Sequence, residues 1–223
     1  MKQFPLSNTY NYIDNMNRTR ILNKRTICEG YDYLSKIEPA FEKILIEKNF
    51  NIPTFERKEG FEGIICLITE QQLSVASAEA IFKRIKKLVC PFTPENFLKE
   101  EDEQLKNTGL SRQKVDYCNG IAKKIIDKEL NLTLLKKKDD DEVIKELTKI
   151  KGIGEWTAKC YLMACLKRID IWPSSDLGLI VAVQKIKNLK DRPDFLTLDK
   201  IANSWSPYRS IAALILWSIY DKN

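Results

Sequence analysis

The sequence predicts an all-α protein. Apolar residues recur at spacings of three and four along most of the chain. No run alternates at period two for long enough to build a sheet. Helix-starting residues, Ser, Thr or Asp ahead of a periodic run, return at short intervals. Together these features give about nine to eleven helices joined by short connections.

Taken in order, residues 1 to 28 are polar and rich in Asn, Thr and Arg, and read as an irregular arm, with Thr26-Ile27-Cys28 as a candidate short strand. From residue 31 to 48, Leu34, Ile37, Phe41, Ile44 and Leu45 fall at helical spacing, and Pro39 starts or kinks a helix there. Phe61, Ile64, Ile65, Leu67 and Ile68 mark the next helix, which ends in the polar group Thr69-Glu70-Gln71-Gln72. Ser74 caps a helix with Ala78, Ile81, Phe82 and Ile85 on its inner face and lysines on the other. Thr93-Pro94 is an N-cap followed by proline at the first helical position, opening a helix that runs to about Lys106. Ser111 caps the helix of Val115, Cys118, Ile121, Ala122 and Ile125. An aspartate of the charged loop Lys136 to Asp141 caps the helix of Val143, Ile144, Leu147 and Ile150. Further on come a helix through Leu177, Ile180, Val181, Val183 and Ile186, a short amphipathic helix over 196–203, and a final helix from Tyr208 to Tyr220 that is apolar almost all round.

Composition narrows the chemistry. The 223 residues suffice for one large domain or two lobes, and 37 Lys+Arg against 31 Asp+Glu give a net charge of +6, which permits a polyanionic partner without requiring one. There is no histidine, so every Ser-His-Asp arrangement and the commonest metal ligand and general base are excluded. Acid and base work falls to carboxylates, lysine, tyrosine or cysteine. The six cysteines contain no CxxC pair and read as reduced, mostly buried thiols of a cytosolic protein. The longest apolar run, Ile211 to Trp217, is too short to span a bilayer.

The most informative stretch runs from Leu147 to Leu179. It reads as helix, a hairpin with glycines at 152 and 154, helix, and then Pro173-Ser174-Ser175-Asp176 opening a further helix. Glycines allow a tight turn with positive φ and no side chain in the way. Backbone N–H groups of the turn and of the helix start near Glu155 would then face outward together, forming an anion site suited to phosphate. Such contacts position a duplex without reading its sequence.

Four segments in this order resemble the helix-hairpin-helix/Gly-Pro-Asp superfamily of DNA glycosylases. Residues 147 to 158 resemble its helix-hairpin-helix, and Asp176 falls where the family carries its catalytic aspartate. Glu70-Gln71-Gln72-Leu73-Ser74-Val75-Ala76 resembles the loop that enters the duplex, and Leu110-Ser111-Arg112-Gln113-Lys114 a helix start ahead of the hairpin. Trp205-Ser206-Pro207-Tyr208-Arg209-Ser210, with Trp217, is similar to the last helix of the alkylpurine branch, the 3-methyladenine glycosylase II-like enzymes.

The resemblance implies two helical lobes with the active site in the cleft between them: an arm over 1–28, one lobe from 29–60 with 167–223, and one from 61–166 ending in the hairpin at 147–158. It implies a monofunctional DNA glycosylase that hydrolyses the N-glycosidic bond of damaged, alkylated purines flipped from duplex DNA and so starts base excision repair. Bifunctional members place a Schiff-base lysine where this chain has Trp156, and the four-cysteine cluster of other branches is missing; both point to hydrolysis without strand cleavage. Asp176 is the expected catalytic residue. Trp156, Trp217 and Cys160 are expected at the base pocket, Cys160 standing where some relatives carry an aromatic. Gln71, Gln72, Leu73, Lys151, Gly152, Ile153, Gly154 and Thr157 are expected to contact DNA, with Gln72 or Leu73 as the wedge that fills the gap left by the flipped base. The bland alternative for Leu73 is a core position. No cofactor or metal is implied, a monovalent cation at the hairpin carbonyls being compatible. The expected partner is damaged double-stranded DNA, bound by a monomer in the bacterial cytosol, with no membrane. A mismatch- or uracil-directed glycosylase and a non-catalytic helix-hairpin-helix DNA-binding protein are the alternatives.

Overall fold

The computed structural model describes residues 21–220, and among these it is all-α, with thirteen helices. The single extended pairing among the described residues is an isolated antiparallel bridge between Ile21 and Arg168. The chain clusters into two compact units. One takes the chain up to Phe55 and again from Lys167; the other is the continuous segment Glu56–Leu166.

The first unit opens with α1, Lys24–Ile37, capped by the Asn23 side chain, while the Asn23 N–H donates in return to the Thr26 hydroxyl. This corrects the sequence reading of the arm: Thr26, Ile27 and Cys28 lie in a helix and not in a strand. The cap pair is Asn with Thr, in place of the usual Ser/Thr with Glu. The remainder of the expected arm, residues 1 to 20, lies outside the described residues. Pro39 stands at the first position of α2, Pro39–Glu47, so it separates two helices where a single kinked one was also possible. The unit is completed by α11, Leu177–Ile186, α12, Phe195–Asn203, and α13, Arg209–Tyr220. Helix α13 packs on α11, α1 and α2 and is buried along most of its length. Its core includes Leu34, Phe41, Leu45, Val183, Ile211 and Ile215, together with Trp172 and Trp205. The two indoles meet edge to face at 5.3 Å, and Trp205 meets Phe41 in the same way at 5.2 Å.

The second unit runs from α3, Phe61–Glu70, through α4, Val75–Leu88, α5, Pro94–Phe97, α6, Asp102–Asn107, α7, Arg112–Ile126, α8, Leu132–Leu135, and α9, Asp140–Leu147, to α10, Glu155–Ala164. Ser74, Thr93, Ser111 and Asp139 all accept a backbone N–H of the helix they precede, as their sequence positions indicate. The helix expected from Thr93 to Lys106 is two helices, because Glu101 and Gln104 form a second capping box that restarts it. This break, the short α8 and the division at Pro39 account for the larger number of helices. Helix α3 lies at the centre, packed on α4, α7 and α10, with Ile64, Ile65, Leu67 and Ile68 buried.

Candidate active site and nucleic-acid interface

In the second unit the hairpin is built tightly. Leu147 ends α9, Ile153 N–H donates to the Ile150 carbonyl at 3.0 Å, and Glu155 starts α10. Gly152 has φ +93°, and a Cβ there would stand 2.2 Å from the Tyr117 ring, so both backbone and space require glycine. Gly154 is different. It is the N-cap of α10 with φ −87°, and a Cβ there meets nothing within 4 Å. The expectation of positive φ at both glycines therefore holds only for Gly152. What Gly154 does is leave the helix start bare, where first-turn N–H groups and the helix dipole favour an anion. Lys151 and Gly154 are exposed, whereas Ile153 and Thr157 are buried, so the Ile153 side chain belongs to the interior of the unit.

The loop after α3 is fastened to this hairpin. The Gln71 side-chain amide donates to the Gly152 carbonyl at 3.0 Å and to the Thr157 hydroxyl at 2.9 Å. The Lys114 ammonium donates to the carbonyls of Thr69 at 2.9 Å and Gln71 at 2.7 Å, closing the C-terminus of α3. Burial pushes the Lys114 pKa down, although the Cys118 thiol beneath it acts in the other direction. Arg57 pairs with Glu70 at the other side of the helix end, its Nε at 2.7 Å. Gln71 is thus a strut of the loop, not a group directed at solvent. Beyond it, Gln72 is exposed with φ +56°, and Leu73 is 41% exposed. The core reading of Leu73 is overturned: an apolar side chain stands on the outside of a braced turn. Trp156 lies half-buried on the first turn of α10, and Cys160 is fully buried one turn later.

In the first unit the carboxylate has a defined setting. Asp176 is the N-cap of α11, and its Oδ1 accepts the Leu179 N–H at 3.0 Å and the Trp217 indole N–H at 2.9 Å. Trp217 lies edge to face against Phe55, with centroids 5.3 Å apart. The start of α13 is held by Asp170, which takes the Arg209 guanidinium through Nε at 2.8 Å and a second nitrogen at 2.9 Å, and also accepts the Ser206 hydroxyl at 2.8 Å. Sequence reasoning placed Trp217 beside the base and left Asp170, Phe55, Gly178 and the bonds of Lys114 without a role. Only Lys114 carried a signal, its place in the segment after Leu110.

A helix-hairpin-helix with a braced exposed loop, and a carboxylate capping a helix shortly after it, define a class of DNA repair protein. Residues 65–207 match the family described as the HhH-GPD superfamily of base excision DNA repair proteins, and the chain belongs to it. Among its relatives, DNA-3-methyladenine glycosylase 1 of Schizosaccharomyces pombe is 31% identical over 169 residues, covering 74% of each chain. The alkylbase DNA glycosidase-like protein mag2 of the same organism is 30% identical over 164 residues, covering 71% of this chain and 77% of that one. The solved structure of the S. pombe 3-methyladenine DNA glycosylase in complex with abasic DNA superposes with a TM-score of 0.80 at 28% identity, covering 86% of this chain and 97% of that one.

Proposed function

We propose that this chain is a monofunctional DNA glycosylase that hydrolyses the N-glycosidic bond of alkylated purines flipped out of duplex DNA. The carrying observation is Asp176, a carboxylate fixed by two donors at the head of α11, in a chain with no histidine and with Trp156 at the position of the lyase lysine. Its relatives named as 3-methyladenine glycosylases support the substrate class.

In this reading the bare helix start at Gly154, with Lys151, grips the DNA backbone, and Gln72 and Leu73 fill the space of the extruded nucleotide. Trp156 and Trp217 each carry an aromatic ring, and a ring face attracts a cationic base by roughly 0.5–2 kcal/mol depending on desolvation. As the C1′–N bond breaks, its electron pair leaves with the base, which departs neutral if it was cationic. Positive charge builds on the sugar, and the Asp176 carboxylate stabilises it. Water adds to C1′ and gives its proton to the carboxylate, which returns it to solvent. A cationic leaving base needs little protonation, so one carboxylate serves where ordinary glycosidases use two. This chemistry calls for no cofactor. The hairpin, loop and carboxylate all come from one chain, which supports a monomer, and a cytoplasmic setting keeps its thiols reduced.

The test is direct. Duplex DNA methylated to carry 3-methyladenine and 7-methylguanine is incubated with the protein, released bases are separated by chromatography, and the DNA is then heated in alkali. Free methylated purine, with strand breaks appearing only after alkali, is the expected result. Breaks before alkali would mean lyase activity. Release of uracil alone would move the substrate to deaminated or mismatched bases, and no release at all would leave only a DNA-binding role.

A further inference from the structure

We propose that Trp217 is a positioning residue for Asp176, acting through its indole N–H and not through its ring face alone. The proposal rests on Asp176 being the catalytic carboxylate.

The Leu179 N–H bond to Asp176 Oδ1 is the ordinary bond of a helix N-cap, which Asn or Ser would make equally well. It reaches Oδ1 from the helix start alone. The Trp217 indole N–H reaches the same oxygen from α13, 41 positions away, at 2.9 Å. Two donors arriving from different elements hold this one oxygen in place, and with it the direction from which the carboxylate meets a developing charge.

Three further features serve this bond. Gly178 lies beneath it, where a Cβ would stand 3.1 Å from Asp176 Oδ1, 3.3 Å from Trp217 Cδ1 and 3.0 Å from Tyr220 Cδ1. A side chain there would crowd both partners. The Phe55 ring, at 67° to the indole, limits rotation of Trp217. Helices α11 and α13, which carry the two partners, pack directly against each other. The other two indoles of this unit provide the contrast. Trp172 and Trp205 are buried, and their N–H groups have no hydrogen-bond partner among the described residues. They contribute rings to the core, whereas Trp217 spends its polar atom on the carboxylate.

The decisive variant replaces Trp217 with 3-benzothienylalanine, incorporated at that codon, which keeps the bicyclic shape and puts sulfur in place of N–H. It is compared with wild type and Asp176→Asn in single-turnover release of 7-methylguanine and in binding to abasic-site duplex. We expect wild type to release base, Asp176→Asn to release almost none, and the sulfur variant to be slower by roughly 10- to 100-fold, the scale of a misplaced catalytic group. Its affinity for the abasic duplex should match that of wild type. If the sulfur variant keeps the full rate while Asp176→Asn is inactive, the positioning role is wrong and the glycosylase reading stands. If rate and abasic-DNA binding fall together, the ring acts as general support and the proposal is likewise overturned. If wild type releases no base, or Asp176→Asn is as fast as wild type, the functional reading fails and takes this proposal with it.

Discussion

The amide of Gln71 reaches across 86 positions of sequence to the hydroxyl of Thr157, 2.9 Å away, and the same nitrogen holds the Gly152 carbonyl. The exposed turn at Gln72 and Leu73 therefore moves with the hairpin as one piece. Gln71→Leu keeps the bulk and removes the donor, leaving the buried Thr157 hydroxyl and the Gly152 carbonyl without it. A loss of about 1–3 kcal/mol in stability is expected from denaturant unfolding. Affinity for an abasic-site duplex, read by fluorescence anisotropy, should fall as well. An unchanged unfolding midpoint would show that the strut carries no load.

Asp176→Asn separates chemistry from folding. Asparagine caps a helix as well as aspartate does, and its side-chain oxygen can still accept the Leu179 and Trp217 N–H groups. The variant should unfold within about 0.5 kcal/mol of wild type, bind abasic-site DNA, and release methylated purine orders of magnitude more slowly. Near-normal release would remove Asp176 from the mechanism.

The two hairpin glycines should respond in opposite ways to a side chain. Gly152→Ala forces a Cβ into the Tyr117 ring at φ +93° and should destabilise the fold by more than about 1 kcal/mol. Gly154→Ser enters open space with a good N-cap and should leave thermal stability unchanged or slightly raised. Its binding to undamaged duplex should nevertheless weaken, with a shallower dependence on salt, because the new side chain stands where a phosphate would approach. Equal binding by Gly154→Ser and wild type would place the phosphate contact elsewhere.

Burial raises the Cys66 thiol from its ordinary value of 9.0 to about 12, with the Glu70 carboxylate adding to the effect, and raises Cys118 to about 12. Cys28 and Cys90 are exposed. At pH 8 iodoacetamide should label Cys28 and Cys90 in the folded protein and reach Cys66 and Cys118 only on unfolding, as mass spectrometry would show. Below pH 9 folded and unfolded chains both hold the Cys66 and Cys118 protons. Above it the unfolded chain releases them and the folded chain does not, so stability should fall as pH rises from about 9 towards about 12. A flat stability profile across that window would contradict their burial.

Local chemistry was readable in the sequence, and long-range chemistry was not. Ser74, Ser111, Asp139 and Asp176 announce helix starts because a cap depends on residues two or three positions away. The Asn23–Thr26 box and the restart at Glu101 were missed because their residue types depart from the commonest cap pattern. Gly154 looked like Gly152 in sequence, and only backbone geometry separates a turn-forming glycine from one that clears a surface. The bonds from Gln71 to Thr157 and from Trp217 to Asp176 join residues 86 and 41 positions apart, and no spacing rule encodes either. Trp217 was expected at the base pocket for its ring, but its polar contact required the packing of α13 on α11.

The unit holding Asp176 is assembled from two separated parts of the chain, whereas the hairpin unit, Glu56–Leu166, is continuous. Synthesis proceeds from the N-terminus, and domains fold as units once their residues are available. The continuous unit can thus mature while α13 has yet to emerge from the ribosome. On the proposed reading, the part that grips nucleic acid is complete first in the life of each molecule, and the part that breaks a bond in it waits for Trp217 to arrive.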